Sequence, residues 1–184
     1  MSGHSKWAQI KRQKSVTDAA RSRIFSRYAR LLTVESKKAG GVVSAPNLAS
    51  AIARAKAVNM PKENIERAIA KGTAKDAGEL LDVLYEAYGP GGVAILIEAV
   101  TDSKNRTTQE LKHLLSQHNI ELASPGAASW AFSKAAGLLT PNEPLVDLGE
   151  EDASKIDALL TALDDHDDIQ RVVTNARGYE STEE

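Results

Sequence analysis

Residues 83–100 read VLYEAYGPGGVAILIEAV, and this stretch decides the fold. Val83 to Tyr88 and Val93 to Val100 are strand-like. The four residues between them, Gly89-Pro90-Gly91-Gly92, are turn formers, so the stretch reads as a β-hairpin. The glycines invite comparison with phosphate-binding loops. The GxxxxGK[ST] form is missing and the loop joins two strands instead of opening a helix, so the P-loop reading fails. A close approach of this loop to a nucleic-acid backbone is kept as a secondary reading.

Downstream, the periodicity predicts a helix from Lys104 to His118 carrying Leu111, Leu114 and Leu115. Ser129 to Ser133 reads as a short strand with Trp130 and Phe132 on one face, and Leu145 to Leu148 as another. Glu150 to Leu163 is a helix with Ile156, Leu159, Leu160 and Leu163 at i, i+3, i+4, i+7. Ile169 to Asn175 closes as a strand, and the tail after Gly178 reads as disordered. With the first hairpin strand set aside, the order is βαββαβ, the split βαβ of ferredoxin-like domains with two helices on one face of an antiparallel sheet.

Upstream, beyond the polar link Thr73 to Gly78, the pattern is helical. Asp18 is a suitable N-cap for a helix to about Lys38, in which Ile24, Tyr28 and Leu31 form a buried stripe. Gly40-Gly41 ends it. A second helix near Asn47 places Leu48, Ala51, Ile52 and Ala55 on one face. Pro61 breaks that helix and suits the first turn of a third, with Ile65 and Ile69 buried and Gly72 as its stop. The fold class is therefore α+β: an N-terminal three-helix domain followed by a ferredoxin-like βαββαβ domain with an extra hairpin strand. The expected boundaries are 1–75, 79–178 and a disordered tail over 179–184.

The net charge of -2 conceals an asymmetry. Residues 1–75 hold 16 Lys/Arg against 4 acids (Asp18, Glu35, Glu63, Glu66), whereas the rest hold 7 against 21. Two domains with opposite electrostatic roles follow. No run approaches the roughly 18 apolar residues of a membrane span. The opening Met1-Ser2-Gly3-His4 lacks an apolar signal region, and there are no cysteines for disulfides, thiolate catalysis or zinc. A cytoplasmic monomer without a membrane partner is expected.

The basic half carries the candidate site. Lys6, Lys11, Arg12 and Lys14 surround Trp7 in a polar arm; Arg21 follows, and Arg23, Arg27 and Arg30 form one ridge of the first helix. Arg and Lys neutralise phosphates and release counterions. Trp7 and Tyr28 are candidates to stack on an unpaired base. In the acidic half, Arg106 in Asn105-Arg106-Thr107 is a further candidate phosphate contact, with helix capping as the plainer account. Asp164-Asp165-His166-Asp167-Asp168 lacks EF-hand spacing and reads as a solvated acidic loop. The four histidines are scattered, and neither G-x-S-x-G nor HExxH occurs. No catalytic residue, metal site or cofactor is expected.

Gly3-His4-Ser5-Lys6-Trp7, Arg23-Ile24-Phe25, the run Asn59 to Ile69, and Tyr85 to Val93 together resemble the YebC/PmpR family. Thr101-Asp102 with Asn105-Arg106-Thr107 and the run Leu159 to Asn175 extend that resemblance to residues 2–178. Members are described as transcriptional regulators that bind DNA, and the family includes translational activators at the ribosome. The resemblance implies a helical N-terminal domain, α/β domains, no catalytic residues and no cofactor. It carries the family's basic surface onto Lys6, Lys11, Arg12, Lys14, Arg21, Arg23, Arg27 and Arg30. Where members hold several dozen residues between the segments matching Ser129–Ser133 and Pro144–Leu163, this chain has only Lys134 to Glu143. The resemblance thus implies that most of a third domain is absent here.

A DNA-binding, non-catalytic regulator of gene expression is the leading expectation. A translational activator on ribosomal RNA or the ribosome is the alternative, because no helix rich in Asn, Gln and Arg stands out as a base reader. A rival of another class is a protein-interaction module that docks an acidic partner.

Overall fold

The computed structural model describes residues 18–75, 78–135 and 137–182. They fall into two compact units, residues 18–82 with 100–104, and residues 83–99 with 105–182.

The first unit holds three helices, α1 (Asp18–Ala39), α2 (Pro46–Ala57) and α3 (Lys62–Thr73). Asp18 in the first turn of α1 and Lys37 and Lys38 in its last complement the helix dipole. Gly40 and Gly41 end α1 at φ +58 and +79, and the Gly41 N–H donates to the Ser36 carbonyl at 2.9 Å. Pro46 occupies the first turn of α2, where its missing N–H costs nothing. The core joins Tyr28, Leu32, Leu48, Ala51, Ala55, Met60, Ile65 and Ala68, with Ile24 and Leu31 only at its margin.

Gly72, which the sequence offers as a helix stop, lies inside α3 and is buried. A Cβ there would stand 2.4 Å from the Thr33 carbonyl oxygen, so this glycine serves close approach between α1 and α3. The Thr33 and Ser36 hydroxyls cross the same contact, donating to the Ala68 carbonyl at 3.2 Å and the Ile69 carbonyl at 2.7 Å.

The second unit is built on a four-stranded sheet of β1 (Leu81–Tyr88), β2 (Ala94–Thr101), β3 (Leu122–Ala123) and β6 (Ile169–Thr174). Its order is β3-β1-β2-β6, so β1, the hairpin strand set aside in the βαββαβ count, lies inside the sheet. Two helices, α4 (Lys104–Ser116) and α5 (Glu150–Asp164), supply Leu111, Leu115, Ile156, Leu159, Leu160 and Leu163 to the face formed by Tyr85, Ala87, Ile95, Ile97 and Val172. Alternation sends Ala94, Leu96 and Val173 to the opposite face, against Ala128, Ala131 and Phe132. This is the α+β architecture read from the sequence.

Four local features differ from expectation. Ser129–Ala131 is a 3-10 turn and the strand β4 starts only at Phe132 (Phe132–Ala135), so Trp130 is 66% exposed while Phe132 is buried. The Leu145 to Leu148 stretch makes a single parallel bridge, Val146 to Ala176, because its hydrogen bonds go to the turn after β6. β3 is two residues long, too brief for a periodicity to register.

The fourth is the C-terminal stretch expected to be disordered. Gly178 at φ +86 reverses the chain, and Ser181 and Thr182 pair along the open edge of β6. The Thr182 hydroxyl accepts from the Val172 N–H at 2.9 Å. Tyr179 is 2% exposed, and burial together with Asp157 pushes its phenol up to about 12. Polar composition conceals this packing in the sequence.

Between β4 and α5, where the resemblance places a longer insertion in relatives, β5 (Leu138–Pro141) pairs antiparallel with β4, Phe132 opposite Pro141 and Ala135 opposite Leu138. The pair is a separate two-stranded sheet, and Leu139 packs with Phe132 against the face of the main sheet that carries Ala94, Leu96 and Val173.

Candidate nucleic-acid interface

Residues 18–75 carry twelve Lys/Arg, all but Lys75 on the three helices, and four Asp/Glu. Some of this charge is compensated locally. Lys38 bonds Glu35 at 2.9 Å and also Asp82; burial pushes its ammonium down, but the two carboxylates outweigh that and leave it above its ordinary value. Lys62 pairs with Glu66 one turn on at 3.6 Å.

The i, i+4, i+7 spacing sets Arg23, Arg27 and Arg30 along one ridge of α1, as expected. Arg23 is exposed, and Arg27 and Arg30 are half-buried. Arg30 also belongs to a second feature that the sequence did not disclose. Between α1 and α3 lies a groove of about 560 Å3, with Arg21 and Arg30 on one wall and Arg67 and Lys71 on the other. Arg67 and Lys71 are one turn apart on α3 and both exposed. Neither pairs with a carboxylate among the described residues.

Asp18 is the single carboxylate in the lining. It lies 4.0 Å from Arg21 with its side chain fully exposed, where an ion pair offsets little charge. A concave surface lined by one sign of charge concentrates the field and draws in an anion. Part of the lining is apolar: Phe25 and Met60, together with Ala29 and Ala68.

Lys6, Trp7, Lys11, Arg12 and Lys14 lie outside the described residues. Tyr28, offered as a stacking platform, is 8% exposed in the helical core, and the Arg54 guanidinium covers its ring at 5.9 Å from the centroid. It has no face for a base. The helical stripe that makes Tyr28 a core residue is the reason.

Arg106 belongs to the other unit and is engaged there. Its guanidinium meets Asp168 at 2.7 Å and lies 3.8 Å from Glu110. Thr107 donates to the same Asp168 oxygen at 2.7 Å, and His166 meets Glu110 at 3.1 Å. Asp168, read as part of a solvated acidic loop, is therefore buried, because this network satisfies it. Glu110, His166 and Asp168 bring three ligand-type atoms within 4.8 Å of one another, but Arg106 already contacts both carboxylates.

Part of the Gly89–Gly92 loop is also spent internally. A Cβ at Gly91 would meet Leu148 at 2.5 Å and one at Gly89 would meet Ile95 at 2.7 Å, so these two glycines serve packing within the chain, while Gly92 faces open space. Nearby, buried Glu86 accepts the N–H groups of Gly126, Ala128 and Ser129 at 2.7–2.9 Å. Burial pushes its carboxyl up, but these three donors outweigh it and hold it below its ordinary value.

No helix among the described residues is long and apolar enough to cross a membrane. Residues 5–75 match the family described as "TACO1/YebC protein N-terminal domain", and residues 80–145 match "TACO1/YebC second and third domain". A "Probable transcriptional regulatory protein" of Petrotoga mobilis is 46% identical over 176 residues, covering 95% of this chain and 70% of the relative. One of the same name from Pseudothermotoga lettingae is 44% identical over 186 residues, covering 100% and 74%. The crystal structure of a conserved hypothetical protein from Aquifex aeolicus superposes with a TM-score of 0.80 at 30% identity, covering 93% of this chain and 96% of that one.

Proposed function

The chain belongs to the TACO1/YebC family, and from that premise we propose that it is a non-catalytic regulator of gene expression that holds nucleic acid by its phosphates through the helical unit. One observation carries the reading: Arg21, Arg30, Arg67 and Lys71 converge from two helices on one groove that holds a single carboxylate, Asp18. The Arg23 and Arg27 ridge extends the same positive surface along α1. The relatives' name as transcriptional regulators supports the regulatory role. The engagement of the Glu110, His166 and Asp168 group by Arg106 supports the non-catalytic one.

The contact is to backbone and shape. Cations on a ridge and a groove wall bind phosphate without reading base edges. Filter binding of duplex DNA and of a structured RNA across a salt series is the test. Affinity for either that falls steeply with salt is expected, and a chain that retains neither at roughly 50 mM salt overturns the reading. Salt-sensitive retention on ribosomes without site-specific DNA retention assigns the regulation to translation; the converse assigns it to transcription.

A further inference from the structure

A surface that only tracked a phosphate backbone would need a ridge of cations and nothing concave. The helical unit has the ridge, and it has in addition a groove whose volume, about 560 Å3, lies in the range of small-molecule sites. Its lining is mixed. Arg21 and Arg30 of α1 stand across from Arg67 and Lys71 of α3, and half-buried Phe25 and buried Met60 add apolar surface. On the walls Ser26 and Asn64 present a hydroxyl and a carboxamide, groups that pair with the edge of a base. A flat apolar body with a few edge donors and acceptors, bearing a phosphate on either side, is the shape and charge that fit.

We propose that the groove between α1 and α3 is the seat of an unpaired nucleotide extruded from an otherwise paired nucleic acid, its base on Phe25 and its flanking phosphates between the Arg21/Arg30 and Arg67/Lys71 walls. The proposal rests on the reading of the helical unit as a phosphate-binding surface and adds what that surface selects. A base held in a duplex stack presents no face to Phe25. A bulged or looped base does, and stacking it on an aromatic side chain is favourable for every base. The firm contact of α1 with α3 through Thr33, Ser36 and Gly72 fixes the groove's width in advance of binding.

The test uses the whole chain and four labelled stems, RNA and DNA, each with and without one bulged adenosine, followed by fluorescence anisotropy. The bulged stem of at least one kind is expected to bind about tenfold more tightly than its fully paired counterpart. Whichever stem shows the preference names the nucleic acid. Ser26→Trp, at an exposed position, fills the groove without altering its charge, and a circular-dichroism melt checks that the helices persist. It is expected to erase the preference, bringing the bulged and paired stems to within about twofold of one another in affinity. Equal affinity for bulged and paired stems, or a preference that survives Ser26→Trp, overturns the nucleotide seat and leaves the phosphate-binding reading standing. Absence of binding to all four stems at roughly 50 mM salt overturns both.

Discussion

Gly72 of α3 lies against the Thr33 carbonyl of α1 with room for a hydrogen and nothing larger: a Cβ would stand 2.4 Å from that oxygen and 2.7 Å from the Ser36 Cβ. The separation of the two helices that wall the groove is therefore fixed by one missing methyl group. The hydroxyls of Thr33 and Ser36 bond across the same crossing.

Gly72→Ala tests this directly. In a free helix alanine is favoured over glycine by about 1 kcal/mol. Here backbone must move to admit the methyl, an overpacking that costs about 1–3 kcal/mol or more. The net effect expected is destabilisation of the helical unit, read as a lower urea midpoint by circular dichroism. A variant as stable as the parent shows that the crossing is looser than its geometry.

Reversal of the α1 ridge, Arg23→Glu with Arg27→Glu and Arg30→Glu, is expected to abolish nucleic-acid binding while the helices remain. None of the three is fully buried, so the core is untouched. Each phosphate that is no longer neutralised makes the negative slope of log K against log salt shallower by about 0.9 on duplex DNA. The salt series of the three single variants thus weighs each arginine separately. Full retention of binding moves the interface off this ridge.

Glu86 couples the Gly126 to Ser129 turn to acid. Its carboxyl lies below its ordinary value of 4.5 in the folded chain, so the folded state binds the proton less tightly than the unfolded one. Its contribution is complete above pH 4.5 and is lost as pH falls through the folded value. Glu86→Gln puts an amide among three N–H donors and is expected to cost about 1–3 kcal/mol at pH 7. It also flattens the acid limb of the stability profile. An unchanged acid limb removes Glu86 as its source.

How much of this was legible beforehand depends on the range over which each signal acts. The three N-terminal helices, the hairpin of β1 and β2, and α4 and α5 announce themselves by local periodicity and turn residues. The Arg23, Arg27, Arg30 ridge follows from helical spacing alone. The groove does not, because Arg67 and Lys71 meet Arg21 and Arg30 only through the packing of α3 on α1. Their i, i+4 spacing beside the buried Ile65 and Ala68 stripe was the available signal. Arg106 is obscured for the same reason, since its partner Asp168 is distant in sequence, whereas the burial of Tyr28 was legible in the helical stripe that also suggested its ring as a platform.

Arg106 offers the sharpest separation of interface from scaffold. Its partner Asp168 keeps only 4% of its side-chain surface exposed, and a buried carboxylate deprived of its cation retains its desolvation cost. Arg106→Gln is expected to destabilise the second unit by about 1–3 kcal/mol while leaving affinity and salt slope for nucleic acid unchanged. Adding Asp168→Asn removes the stranded charge, so the double variant is expected to be more stable than the sum of the two single losses. Chemical denaturation and filter binding on the same four proteins read both quantities. A fall in affinity at unchanged stability returns Arg106 to the interface, and strict additivity dissolves the pair.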